Sequence, residues 1–550
     1  MTVLENRAAA RRWLGLVAIA LGVALIVVDT TIVNVVLPSI IEDLGVTSLQ
    51  GQWVQESYAV LFAALLLVAG RVADSVGARR VFLIGVVCFG LTSLLAGLAG
   101  SGAVLVLARF LQGASAALIL PTSLSLLNQT FTGKSRNQAF TVWGSTIGIG
   151  TAVGPLLGSW LAEHASWRWA FGINIPLTVL VCVGVLLFLA PSKRQVARVD
   201  GVGVALSVVG LGLAAFGLVE GRTYGWGASI APLRVAGWSW GSGPSPALSA
   251  LIAAGIVLGA FVLRQMRQAS SDHPEQALVD VRLFSVASFR NGNLASAVIA
   301  LGEFGLVAVL PLWLQFALGY SPVQTGLTVL AIAGGGFLAS GASYPLTARL
   351  SPLAMLRIGL VLEGLGLAAL AVAAATETPW WQIIVPLIGY GVGVGFATAQ
   401  VTNVVLAQVP AERAGQGAGV QSAFRQLGSA LGIAVLTSVF FTTLDSGLRE
   451  RLSESELPAD AVGRFARAVT DSAGATIGPL GANPQTAVVA DAARAAMTDA
   501  VTISGYLAAG FVLLGVVATL LIPSGRAAET ADTETERARR AVKTTAGQPD

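Results

Sequence analysis

The sequence is short of charge. Asp, Glu, Lys and Arg make up 11% of its 550 residues while hydrophobic residues reach 55%, and a soluble chain carries roughly 25% charged residues. The deficit excludes the string of soluble domains that length alone would suggest. Histidine and cysteine are scarcer still, with only His164, His273, Cys88 and Cys182. These are too few for a His/Cys metal centre or a disulfide framework. Both cysteines sit in long apolar runs, where they read as small buried hydrophobes. No metal or other cofactor is expected. Lysine is confined to Lys134, Lys193 and Lys543, and with abundant Arg, Ala and Gly this suggests a GC-rich bacterial genome. Despite a pI near 9.3, no basic cluster is long enough to bind nucleic acid. The first apolar run is too long for a signal peptide and lacks a small-residue cleavage site, so it reads as a retained span.

Apolar length is what the sequence has in quantity. A spanning helix needs about 20 mostly apolar residues. Fourteen segments qualify, at 13–37, 52–72, 80–100, 103–127, 138–161, 168–190, 201–220, 246–263, 291–315, 323–348, 355–375, 380–407, 415–441 and 501–522. The positive-inside rule tests the count. With a cytoplasmic N-terminus, the inner segments hold most of the 33 Lys and Arg, among them Arg11, Arg79, Arg80, Lys134, Arg136, Arg194, Arg264, Arg290, Arg357, Arg413 and Arg539. The short outer loops hold Arg168, Arg222 and Arg234. The long segment 442–500 carries several more, but loops of that length translocate largely regardless of charge. The fit is an all-α integral membrane protein of the inner membrane, with both termini inside.

Sliding the chain by 278 residues superposes Gly113 on Gly391, Gln138 on Gln416, Val142 on Val420, Gly150 on Gly428 and Gly154 on Gly432 without a gap. Parallel repeats of this kind suggest two pseudo-symmetric halves of six helices. The divisions read as an N-terminal half, 1–190, and a linker with two extra helices, 191–270. A C-terminal half, 271–525, includes an outer loop at 442–500 with some helix, and a charged tail, 526–550, reads as disordered.

The loop Gly70-Arg-Val-Ala-Asp74-Ser-Val-Gly77-Ala-Arg79-Arg80 is similar to the signature loop of the major facilitator superfamily. Its glycines allow a tight turn, and Asp74 can cap the next helix or pair with arginines to latch the halves. Val28 to Pro38 resembles the first-helix signature of the fourteen-helix drug:proton antiporter branch. Arg109-Phe-Leu-Gln112-Gly113 resembles the superfamily's helix-4 arginine motif. Gly150-Thr-Ala-Val-Gly154-Pro155-Leu-Leu-Gly158 resembles the antiporter motif, with Ser159 in place of its final Gly. Trp167-Arg168-Trp169, Ile173-Asn174-Ile175-Pro176 and Leu310 to Gln315 look like the same branch. The second-half copy of the signature loop, Ala348 to Pro352, lacks the acidic residue. The resemblance implies a non-enzymatic transporter moving a small molecule by alternating access, driven by protons, as a monomer among membrane lipids.

Ionisable residues inside a bilayer each cost about 2.5–3.5 kcal/mol on insertion scales and therefore need a reason. Asp29, Glu56 and Arg109 lie about 8–12 Å below the outer ends of helices 1, 2 and 4, at one level. Glu303 and Arg425 fall near the midplane of the other half. Asp29 and Glu56 read as proton or cation sites with Arg109 as modulator, and Glu303 follows. Arg425 and Glu363 read as weaker coupling residues or structural charges, and Glu220, at a helix end, as solvated. Asn34, Tyr58, Gln112, Trp143, Phe304, Trp313, Tyr390 and Phe424 are candidates for a substrate cavity, the aromatics through their ring faces. The leading expectation is proton-coupled export of amphipathic, often cationic drugs or toxic compounds. The alternatives are a specific exporter of an endogenous metabolite or lipid and, more distantly, a membrane-embedded enzyme. The loops offer no catalytic cluster for an enzyme.

Overall fold

A computed structural model describes residues 3–522, apart from 46–47, 193–199, 236–237, 271–276, 347–349, 411–412 and 456. For some helical residues, Asn34, Glu56 and Ser159 among them, it describes the backbone alone. The expected tail, 526–550, and Ala348 and Arg349 of the second signature-loop copy lie outside the described residues.

Because a bilayer offers no partner to a bare N–H or C=O, the apolar runs are forced into helices. In chain order these are α1 (Val3–Leu44), α2 (Ser48–Val76), α3 (Ala78–Gly97), α4 (Gly102–Thr130), α5 (Gly133–His164), the short α6 (Trp169–Gly172) and α7 (Asn174–Phe188). After them come α8 (Gly201–Tyr224), α9 (Pro246–Ala269), α10 (Ala287–Leu312), α11 (Pro322–Leu346), α12 (Pro352–Ala373) and α13 (Trp380–Leu406). The series ends with α14 (Ala414–Ser453), α15 (Ala459–Asp471), α16 (Ile477–Ala482) and α17 (Ala487–Leu520). Thirteen described stretches are long and apolar enough to cross a membrane, and α11 adds a shorter apolar stretch, Val323–Ala339. This gives the fourteen spans read from the sequence.

Starts are marked by local chemistry. Ser245 and Ser351 accept the N–H of Leu248 and Ala354 at 2.9 and 3.2 Å, each followed by a proline at the first helical position, where its missing N–H costs nothing. Three features exceed or depart from the hydropathy reading. The sixth span is broken at Ile173, which separates α6 from α7. The helices α1, α14 and α17 run well past the apolar limits, so much of segment 442–500 is helical, with α15 and α16 between. The loop after α8 forms a two-stranded hairpin, Leu233–Val235 against Trp238–Trp240. Trp226 from that loop lies over Gly221, and Glu220 is 1% exposed. Glu220 is therefore not solvated as expected, because the loop folds over the helix end.

Packing repeats between the halves. In the first, α1 packs on α5 and α7, α2 and α3 on α4, and α3 on α7; in the second, α10 packs on α14 and α17, α11 and α12 on α13, and α12 on α17. Across the halves, α5 meets α11 and α13 while α14 meets α2 and α4. The glycine pairs of the 278-residue offset sit at equivalent crossings. A Cβ on Gly113 would strike the backbone of Tyr58 in α2, and one on Gly391 the backbone of Ile332 in α11. Small residues are needed where helix backbones touch. The pair α8–α9 packs together, and α8 lies against both α2 and α14. Asp200, at the start of α8, receives two hydrogen bonds from Arg264 Nε and one from Nη2. Large apolar side chains on outward helix faces, such as Leu91, Ile256, Phe337 and Val372, are exposed, as a lipid-facing surface requires.

Candidate functional site

In the first half a charged network is closed off from solvent. Arg109 Nη1 lies 2.5 Å from Asp29 Oδ2, and the two side chains are 1% and 0% exposed. Asp29 Oδ1 accepts from Asn174 Nδ2 at 2.7 Å and Gln112 Nε2 at 3.2 Å. Arg109 Nε donates to the Val54 carbonyl, Nη1 also reaches Gln112 Oε1, and its guanidinium lies 4.4 Å from the centre of the Tyr58 ring. Ser93 Oγ accepts from both Gln112 and Asn174. Each carboxylate oxygen of Asp29 thus has a donor, the arrangement a buried ionised carboxylate needs.

The second half carries a looser pair beside a cavity. Arg425 Nη2 lies 3.2 and 3.3 Å from the two oxygens of Glu303, and Thr398 Oγ1 is 3.4 Å from Oε1. Tyr390 donates its hydroxyl to the Glu303 carbonyl at 2.9 Å. A space of about 40 Å³ is lined by Gly144, Ile147 and Gly148 of α5 and by Glu303, Phe304 and Val307 of α10, with Tyr390, Val394 and Thr398 of α13 opposite. It therefore lies between the halves. That volume admits water and falls far short of the 300 Å³ or more that a drug-sized ligand occupies, so the site is contracted in this conformation.

From the level of the cavity towards the Arg-rich face, the halves are joined by polar rungs. Ser145 Oγ donates to the Gly336 carbonyl at 3.2 Å and Gln400 Nε2 to Thr141 Oγ1 at 3.1 Å, and Asn403 pairs with Asn137 one turn further on. At the face itself Asp74 accepts the backbone N–H of Gly415 at 2.7 Å and of Gln416 at 2.8 Å. These are the second and third N–H groups of α14, whose own flanking residue, Arg413, provides no side-chain cap. Asp74 thus caps a helix of the other half, where its charge also complements the helix dipole. The sequence pointed to the next helix or to arginines as its partner; Arg71 does interact with it electrostatically, whereas α3 starts at Gly77, in the left-handed region at φ 103°. Gly70 and Gly415 meet back to back, and a Cβ on either would collide with the other's carbonyl. Arg79 donates to the Leu186 and Val185 carbonyls, tying the loop to α7, and Arg80 is exposed.

The sequence pattern of the Major Facilitator Superfamily matches residues 19–433. The chain belongs to that superfamily. It is 36% identical over 438 residues to the puromycin resistance protein of Streptomyces alboniger, covering 78% of this chain and 82% of the relative. With the multidrug efflux pump LfrA of Mycolicibacterium smegmatis it shares 30% identity over 515 residues, 92% of this chain and 95% of the relative. The crystal structure of the human organic anion transporter MFSD10 shares the fold, with a TM-score of 0.58 at 14% identity, covering 92% of this chain and 99% of the other.

Within this superfamily chain the expected site residues separate into groups. Asp29, Arg109, Tyr58 and Gln112 come together, as do Glu303, Arg425, Phe304 and Tyr390, with Phe304 5.6 Å from the Arg425 guanidinium. Gly150, Gly154 and Gly158 pack on α1, against Val27, Thr31 and Ile32, and Pro155 lies within α5. Trp143 and Trp313 do not line the cavity. Trp143 donates to Ser123 and Trp313 to Thr498, each buried between helices of its own half. Phe424 packs against Phe284. The side chains of Glu56 and Asn34 lie outside the described residues. Sequence reasoning missed Asn174, Ser93 and Thr398 as partners of the buried carboxylates. Asn174 carried a signal, a polar residue inside the motif Ile173 to Pro176, and its place at the start of α7 comes from the break in the sixth span.

Proposed function

We propose that the chain is a proton-coupled antiporter that exports amphipathic, often cationic, small molecules across a bacterial cytoplasmic membrane by alternating access. The observation that carries this reading is the Glu303–Arg425 pair beside aromatic rings in a cavity between two halves. A carboxylate there can hold a proton or a cation, and Phe304 and Tyr390 supply ring faces for an apolar cation. Asp29 and Glu56 are the proton sites of the first half, with Arg109 as the modulator that moves away when Asp29 takes a proton. The Arg-rich face is the cytoplasmic one, both termini lie there, and Asp74 with the polar rungs holds it shut. The family's relatives include proteins named for multidrug efflux and for antibiotic resistance, which supports a xenobiotic or toxic substrate. A narrower reading, export of one class of antibiotic, is favoured by relatives named for single compounds, such as the methylenomycin A resistance protein of Streptomyces coelicolor. Efflux of a dye and antibiotic panel from membrane vesicles, with and without an imposed pH gradient, tests the reading. Transport indifferent to the gradient overturns proton coupling, and transport of a single compound selects the narrower alternative.

A further inference from the structure

Besides Glu303, the second half carries a carboxylate, Glu363, buried within a spanning helix. It lies in α12 and is 0% exposed, and among the described residues neither of its carboxylate oxygens has a hydrogen-bond partner. The surrounding helix contacts are tight. A Cβ on Gly393 of α13 would strike the Glu363 backbone, Gly359 and Gly366 bring α12 against α13 on either side, and Gly364 faces Leu513 of α17. Among the described residues, the ionisable groups that interact with it electrostatically are Glu303 on α10, Arg425 on α14 and Tyr390 on α13. The set therefore holds one guanidinium and two carboxyl groups, and the guanidinium is hydrogen-bonded to Glu303. A second charge buried without a donor would cost several kcal/mol, whereas one proton makes the whole set neutral.

We propose that Glu363 is the proton donor of the second half, the group that releases a proton when a cationic substrate binds at Glu303. The proposal rests on the antiport reading above and names its exchanging group. A cation seated against Glu303 displaces Arg425, which then lacks a counter-ion. The O–H bond of Glu363 breaks, the proton passes to water in the cavity that Glu303, Tyr390 and Thr398 line, and the carboxylate left behind pairs with Arg425. One positive charge enters and one leaves, so the buried set stays neutral. A merely structural Glu363 would serve as well as Gln.

The test uses the purified full chain with tetraphenylphosphonium as the probe cation, in weak buffer with a pH dye. Wild type is expected to release about one proton per cation bound, with affinity rising up to tenfold per pH unit. Glu363→Gln is expected to bind more weakly, to release no proton and to lose the pH dependence. Release that persists in this variant overturns the assignment and moves the exchanging proton to the first half, with antiport intact. Cation binding without release in wild type overturns the antiport reading itself. Independently of any ligand, the infrared difference between wild type and Glu363→Gln at neutral pH is expected to contain the carbonyl band of a non-hydrogen-bonded carboxylic acid, and its absence overturns the proposal.

Discussion

Replacing Asp74 with Asn is expected to open the cytoplasmic side. Asp74 accepts two N–H groups of α14, one on each oxygen. Asn keeps a single acceptor, and its amide NH₂ must then face the other N–H. A hydrogen bond to a charged group contributes about 1.5–3 kcal/mol, and loss of the carboxylate also removes about 0.3–1 kcal/mol of interaction with the helix dipole. With the remaining bond weakened to a neutral one, the closed state loses about 2–3 kcal/mol. That corresponds to roughly a 30- to 150-fold shift in the conformational equilibrium. Spin labels at Thr132 and Ala407, both exposed at this face on opposite halves, with Cys88 and Cys182 replaced by serine, report the separation by double electron–electron resonance. The variant should populate a longer distance while equilibrium substrate affinity changes little, because Asp74 lies several turns from the cavity. An unchanged distance distribution, or normal cycling with a large loss of affinity, would refute the cross-half cap.

Other perturbations follow from the same geometry. Asp29→Asn leaves Arg109 buried without its charge partner, a loss of about 3–5 kcal/mol, so the variant should melt earlier and lose cation transport driven by a pH gradient; normal transport in Asp29→Asn and in its combination with Glu56→Gln would make these carboxylates structural. Burial raises the Asp200 carboxyl, but its bonds to Arg264 outweigh this and hold it below its ordinary value of 3.8. Its contribution is thus present above that value and lost as pH falls below it, so Asp200→Asn should lower the melting temperature at pH 7 and have little effect in strong acid. A reporter fused after residue 525 should lie in the cytoplasm and one inserted near Ser472 outside, and finding both on one side would overturn the topology.

Much of the fold could be read from the residues because the bilayer imposes simple rules. Apolar length gave the spans, the alternation of Arg-rich loops gave their order, and the pairing of Gly113 with Gly391 marked crossings that the structure places at equivalent sites. The proximity of Asp29 and Arg109 followed from depth along their helices. Partners supplied by backbone could not be read in this way. The N–H groups that hold Asp74 belong to Gly415 and Gln416, and nothing in those side chains announces a cap. Asn174 reaches Asp29 only because the sixth span breaks at Ile173. The burial of Glu220 depends on how a hairpin folds across a helix end, and the inward turn of Trp143 and Trp313 on local hydroxyls, Ser123 and Thr498. None of these has a periodic signature.

The central claim is that proton and drug movement are exchanged through the Glu303 site. Its most direct test is transport by the reconstituted chain in sealed proteoliposomes, with a fluorescent cation and an internal pH dye read together. The account predicts that an imposed pH gradient drives the cation against its own concentration, that the cation moves the internal pH in return, and that Glu303→Gln abolishes both. Cation flux that proceeds at the same rate with the gradient collapsed, or that survives in Glu303→Gln with proton movement intact, would contradict it.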